Sequence, residues 1–306
     1  MRVQLLAEGP LDVGQTLARY RIWGEDPANR LAGERFRRVV RVHGQLHGYE
    51  LGWSGPPDAV QLTLSLPGSR STRVAEAALA EVRRLLFLDA DLPAFYRMAK
   101  GDPALSGLIT PLYGLRPTLA PSPFEMLVGA ISAQQVNLAF AFTTRARLVR
   151  RFGERVTVNG GVIYSFPGPE RVAKARVSEL RRMQFSTRKA EYIIGLARLT
   201  SSGALDFDHL GRLPNEEVIA ALTQVRGFGR WTAEWFLCRA LGRGDVCPAG
   251  DLGVRKGFAH FYNRGRPLSE RAIRRRAGQW GEHQNLAVHY LLAGLRLAQE
   301  RSGGGT

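Results

Sequence analysis

The chain has 306 residues, 44% of them hydrophobic, and carries 43 basic against 27 acidic residues for a formal net charge of +16. That apolar content can build two compact domains, and no apolar run approaches the roughly 20 residues needed to span a bilayer. The charge points to a polyanionic partner, most commonly nucleic acid, although a basic excess also serves solubility; the two cysteines, Cys238 and Cys247, are too few for a four-thiolate cluster or a disulfide framework.

Both cysteines are expected to be reduced and structural. The opening segment, MRVQLLAEGPLD, has no signal-peptide apolar stretch, so a soluble, cytoplasmic protein with no membrane association is expected. His43 and His47 lie in a strand-like segment where residues four apart are spread along the chain, and no thiol or carboxylate cluster joins them, so no transition-metal site is expected there.

In chain order, Arg37–Glu50 and Ala59–Leu66 alternate apolar and polar residues and are rich in β-branched types. Gly44, Gly48 and Gly55-Pro56-Pro57-Asp58 punctuate them. Ser71–Leu88 has helical spacing, with Val74, Leu79, Val82 and Leu86 on one side. An antiparallel sheet with one or two helices is predicted over residues 1–107.

Beyond about residue 105 strand signals nearly vanish, and helices are predicted over 108–300. Ser122-Pro123-Phe124-Glu125 is a strong helix start: serine caps, proline fits the first turn, and glutamate three residues on completes a capping box. Phe124, Leu127, Val128, Ile131 and Leu138 follow at helical spacing. Further helices are predicted near Glu170–Lys174, Ser178–Met183, Thr187–Thr200, Glu216–Gln224, Arg230–Leu241, Leu252–Phe261, Glu270–Trp280 and Leu286–Glu300, with Ser186, Asn215 and Asp251 as N-caps. Residues 301–306 read as a flexible tail. The fold class is therefore α+β, a sheet domain followed by an all-helical region.

The most informative stretch is Val218–Phe258. One helix ends in the turn Val225-Arg226-Gly227-Phe228-Gly229, and another begins at Arg230. Glycine allows a tight turn and a close approach by another molecule, and Phe228 can plug the hairpin into its own helices. The amides of Gly227, Gly229 and the first helical turn, with Arg230 and Thr232, would then face outward as an anion site. An ordinary helix–turn–helix corner has the same local pattern.

Asp251 follows in Pro248-Ala249-Gly250-Asp251-Leu252. Here the sequence resembles the helix–hairpin–helix DNA glycosylases, and most closely the 3-methyladenine DNA glycosylase II (AlkA-like) type. The likeness includes Gly229-Arg230-Trp231-Thr232-Ala233, Trp235, Asp245-Val246, Ala130-Ile131 to Gln134, Phe152-Gly153-Glu154-Arg155, and the layout of a β-rich domain before a helical one. It implies a two-lobed helical region with the active site between the lobes, acting as a monomer on double-stranded DNA that contains alkylated bases.

Asp251, which alone would read as a helix cap, becomes by this resemblance the catalytic carboxylate. Trp231, Trp235 and Trp280 become candidates for a base pocket, since an aromatic face attracts the positive charge of an alkylated purine. Trp231 stands where lyase-type members of the superfamily have lysine, so monofunctional hydrolysis is expected. Gln135 matches the position of an apolar wedge that fills the gap left by the flipped nucleotide, a departure in residue type, and Gln134 is open to a buried structural role. No organic cofactor is implied. The resemblance suggests an alkali ion held by the carbonyls of Thr223, Val225 and Phe228. A glycosylase for oxidised or mismatched purines and a non-catalytic DNA-binding protein remain as alternatives.

Overall fold

The computed structural model describes residues 1–303. Its N-terminal part holds a five-stranded antiparallel sheet of β1 (Arg2–Leu5), β2 (Arg30–Ala32), β3 (Arg35–Val42), β4 (Gln45–Ser54) and β5 (Gln61–Ser65), in the order β1-β5-β4-β3-β2. The β3–β4 hairpin closes through His43 and Gly44, both at positive φ, which matches the right-handed twist of the strands. Phe36 pairs with Leu51 and Leu51 with Leu64, all fully buried. Helix α1 (Thr72–Leu85) covers this face with Val74, Ala78, Val82 and Leu85.

The helices of eight residues or more continue as α2 (Leu92–Ala99), α3 (Pro123–Ala133), α4 (Leu138–Phe152), α5 (Thr187–Ser201), α6 (Asn215–Thr223), α7 (Arg230–Arg239), α8 (Leu252–Tyr262), α9 (Glu270–Ala277) and α10 (Gln284–Gly303). Their shared core begins at Leu92, so 92–107, expected in the sheet domain, packs with the helices instead. Residues 301–303 of the expected tail continue α10, and 304–306 lie outside the described residues. No helix among the described residues is long and apolar enough to cross a membrane.

A second hairpin, β6 (Arg155–Val158) and β7 (Gly161–Tyr164), interrupts the helices where the sequence gives little strand signal. It turns through Asn159 and Gly160, again both at positive φ. It packs on the sheet face opposite α1, where Val158 and Ile163 meet Val39. Gly48 is required there, because a Cβ would fall 2.0 Å from Val158 Cγ2.

Ser122 caps α3 as predicted, accepting from the Glu125 N–H at 3.1 Å. The Glu125 carboxylate does not complete a capping box. It is 4% exposed and binds Arg38 of β3 at 2.7 Å and Arg145 of α4 at 2.6 Å, and Arg145 also pairs with Asp26. Burial acts to raise the Glu125 carboxyl, but the two guanidiniums outweigh it and hold the group below its ordinary value. A buried pair of this kind is costly to form and costlier to break, so the cluster fixes β3 to the start of α3 and to α4. Asn215, predicted as an N-cap, is instead the first residue of α6. Its amide bridges Asp245 at 2.8 Å and Arg243 at 2.9 Å.

Candidate active site

The turn between α6 and α7 is built from its own residues. Phe228 is 7% exposed and joins the helical core, and its N–H donates to Val225 O at 3.0 Å. Gly227 has φ +93, and a Cβ there would fall 2.4 Å from the Tyr192 ring, so glycine is demanded twice over. Gly229 differs. Its φ is −119, and a Cβ would meet nothing within 4 Å. Among the described residues neither the Gly227 nor the Gly229 N–H donates to a backbone acceptor, and α7 starts with no side-chain cap. Its first amides are therefore left for water or an outside acceptor.

Asp251 is the N-cap of α8, its Oδ1 accepting from Val254 N–H at 3.0 Å. Its other oxygen, Oδ2, accepts from two indoles, Trp231 Nε1 at 2.8 Å and Trp235 Nε1 at 3.1 Å. Four-residue spacing puts both tryptophans on one side of α7. The carboxylate is thus half-buried and held from three sides.

Other predicted residues fall elsewhere. Trp280 is 3% exposed, donates to Asp102 Oδ2 at 3.1 Å and packs on Phe258 and Tyr262. It belongs to the helical core and does not join the Asp251 cluster. Thr232 is 1% exposed, so its expected contact with DNA reduces to its backbone N–H. Arg230 is partly exposed but already paired, with Glu216 at 2.8 Å and Glu234 at 2.9 Å. Gln135 is exposed at φ +55 in the turn between α3 and α4. Gln134 beside it donates to Gly227 O at 2.9 Å, tying that turn to the hairpin.

Comparisons with known proteins give the family. Residues 128–283 match the HhH-GPD superfamily base excision DNA repair proteins. The chain belongs to that superfamily. A DNA-3-methyladenine glycosylase of Bacillus subtilis (strain 168) is 36% identical over 204 residues, 67% of each chain. DNA-3-methyladenine glycosylase 2 of Escherichia coli (strain K12) is 29% identical over 236 residues, 77% of this chain and 78% of that one. The solved 3-methyladenine DNA-glycosylase from Archaeoglobus fulgidus superposes with a TM-score of 0.85 at 29% identity, covering 97% of this chain and 98% of that one. As a member of this superfamily the chain is a DNA glycosylase, an N-glycosyl hydrolase of base excision repair.

Within this glycosylase the structure adds features that sequence reading missed. Of the eight exposed large apolar side chains among the described residues, Val136, Leu138 and Phe140 flank the turn after α3, and Leu252, 64% exposed, directly follows Asp251. Leu292 of α10 also reaches the site, since a Cβ on Gly253 would fall 3.0 Å from Leu292 Cδ2 and 3.1 Å from Asp251 Oδ1. One helical turn before it, His289 lies edge-on to Trp235 with ring centroids 5.8 Å apart. Helical spacing in 285–292 was the available signal, but nothing in it distinguishes a site face from a core face.

Proposed function

We propose that this glycosylase acts on alkylated, cationic bases of the 3-methyladenine kind. It would flip them out of double-stranded DNA and hydrolyse the N-glycosidic bond without a lyase step, as a monomer in the cytoplasm. The observation that carries the reading is the Asp251 carboxylate accepting from Trp231, Trp235 and the α8 backbone at once. As the C1′–N bond breaks, its electron pair leaves with the base and positive charge grows on the sugar. A preorganised carboxylate stabilises that charge without reorganising. Water then adds to C1′ and loses a proton. An alkylated base is already a good leaving group, so little general-acid help is needed.

Trp231 stands where the lyases have lysine, which supports simple hydrolysis. Lys189 is engaged with Ser132 O at 2.8 Å. Electron-rich rings around the carboxylate suit a cationic base, and extrusion of the nucleotide is the general route by which an enzyme reaches a stacked base. Gly227, Gly229 and the α7 amides would hold a phosphate, a contact that carries no sequence information, and Gln135 would enter the vacated space.

The alkali ion belongs to the same proposal. The carbonyls of Thr223, Val225 and Phe228 are neutral oxygen donors on one turn, of the kind hard cations prefer. Val225 O accepts from Phe228 N–H yet keeps a second lone pair. An ion there would brace the turn that meets the phosphate.

The test is release of bases from randomly methylated duplex DNA, identified by HPLC, with borohydride trapping in parallel. Release of 3-methyladenine with no trapped adduct is expected. A trapped adduct mapped to one lysine, formed in competition with base release, would contradict hydrolysis without a lyase step.

A further inference from the structure

The α10 side of the site has no role in the hydrolysis described above. Asn285, His289 and Leu292 are spaced four and three apart and so share one face of α10. Leu292 meets the Asp251 neighbourhood across Gly253. The His289 ring stands edge-on to Trp235 at an interplanar angle of 85°, and Trp235 donates to Asp251. His289 therefore borders the same cluster.

The hydrogen of this imidazole has a fixed place. Nδ1 lies 2.9 Å from the Asn285 carbonyl, which can only accept, so Nδ1 carries the proton. Asn285 is itself anchored, its amide donating to Cys238 O and Arg243 O at 3.0 Å each and its N–H to Gly244 O. Burial pushes the His289 imidazole down to about 4, and the Arg19 charge acts in the same direction, against the Asn285 bond. The ring is neutral at neutral pH, and its other nitrogen, Nε2, carries a lone pair. Among the described residues the one side-chain hydrogen bond of His289 is that of Nδ1.

We propose that His289 Nε2 is a hydrogen-bond acceptor in the base pocket that selects flipped bases bearing an N–H donor, such as the exocyclic amine of an alkylated adenine or guanine. This rests on the glycosylase reading above. Trp231 and Trp235 can only donate, and both are spent on Asp251, whose carboxylate already has three donors. None of these groups reads the hydrogen-bonding edge of a base. His289 supplies that polarity from the adjoining wall. A base without a donor would leave Nε2 dry and unpaired, and a site built to hydrogen-bond discriminates strongly on that ground.

The test compares single-turnover release of 3-methyladenine, which has an amine, with that of 1,N6-ethenoadenine, whose corresponding nitrogen carries no hydrogen. His289→Phe keeps a ring against Trp235 and removes the acceptor, whereas His289→Gln restores one. Circular dichroism checks that both variants fold. The expected result is a loss of about 5- to 30-fold for 3-methyladenine in the Phe variant, as for one hydrogen bond. Release of the ethenoadenine should not fall and should rise in the Phe variant as the unpaired acceptor is removed, and the Gln variant should recover most of the 3-methyladenine rate. Equal losses for both bases, no rescue by Gln, or no loss at all would overturn the proposal. Failure of the unaltered protein to release either base would overturn the glycosylase reading itself, which is a separate outcome.

Discussion

The Trp231 indole N–H donates to Asp251 Oδ2 at 2.8 Å across 20 residues of sequence. This bond makes the two residues one unit: the indole orients the carboxylate. Trp231→Phe keeps the ring and removes the donor. Hydrogen bonds to charged groups contribute about 1.5–3 kcal/mol, so base release should fall by about 10- to 100-fold while duplex binding stays within about threefold. Single-turnover kinetics beside a binding titration checks this, and an unchanged rate would mean that the indole does not position the carboxylate.

At the hairpin, stability and binding should move in opposite directions. Gly229→Asp places a side chain in open space at the N-cap of a helix that lacks one, so folding should be unchanged or improved by a few tenths of a kcal/mol. The same carboxylate would occupy the free amides and repel a phosphate. Duplex affinity, damaged or not, should therefore drop at every salt concentration, by about tenfold or more. Denaturant titration and fluorescence anisotropy separate the two effects.

Arginines in this chain divide by location. Arg145 is buried against Asp26 and Glu125, so it cannot grip DNA in the folded protein. Glu125→Gln leaves Arg38 and Arg145 short of a counter-charge and should cost about 3–5 kcal/mol of stability. Replacing the exposed Arg271 and Arg275 should leave stability nearly unchanged and flatten the salt dependence of DNA binding.

His289 has an acid signature. Its imidazole is pushed from 6.5 down to about 4 in the folded state, so between those values the unfolded chain binds the extra proton. The contribution of this group to stability is complete above about 6.5 and is lost as pH falls toward about 4. His289→Gln should lose less stability than the parent chain between pH of about 7 and about 5. Chemical denaturation at the two pH values measures the difference.

Much of this was legible in the sequence, and the gaps have physical causes. Asp251 as cap, Phe228 as plug, and the paired tryptophans of α7 rest on local spacing, which helix geometry fixes, whereas the reading of Asp251 as the reacting carboxylate came from the family resemblance alone. Glu125 looks locally like half of a capping box, but its partner Arg38 lies 87 residues away, a distance no local pattern reports. The β6–β7 hairpin has strands of four residues, too short for a clear alternation, and its Asn159-Gly160 turn was its one strong signal. Trp280 lies buried against Phe258 and Tyr262, and His289 stands edge-on to Trp235, contacts that no local pattern reports. Residue type alone cannot separate these cases, because the deciding contacts come from other helices.

The central claim is that the Asp251 carboxylate, held by two indoles, performs the chemistry. Its most direct test is single-turnover release of 3-methyladenine by Asp251→Asn, with duplex affinity measured in parallel. The amide would turn an N–H toward the Trp231 and Trp235 donors, so about 1–3 kcal/mol of stability should be lost, while enough remains to fold and to bind duplex normally. Release should fall below detection with binding within a few-fold of the parent chain. A folded Asn variant that releases 3-methyladenine at the parental rate would contradict the account.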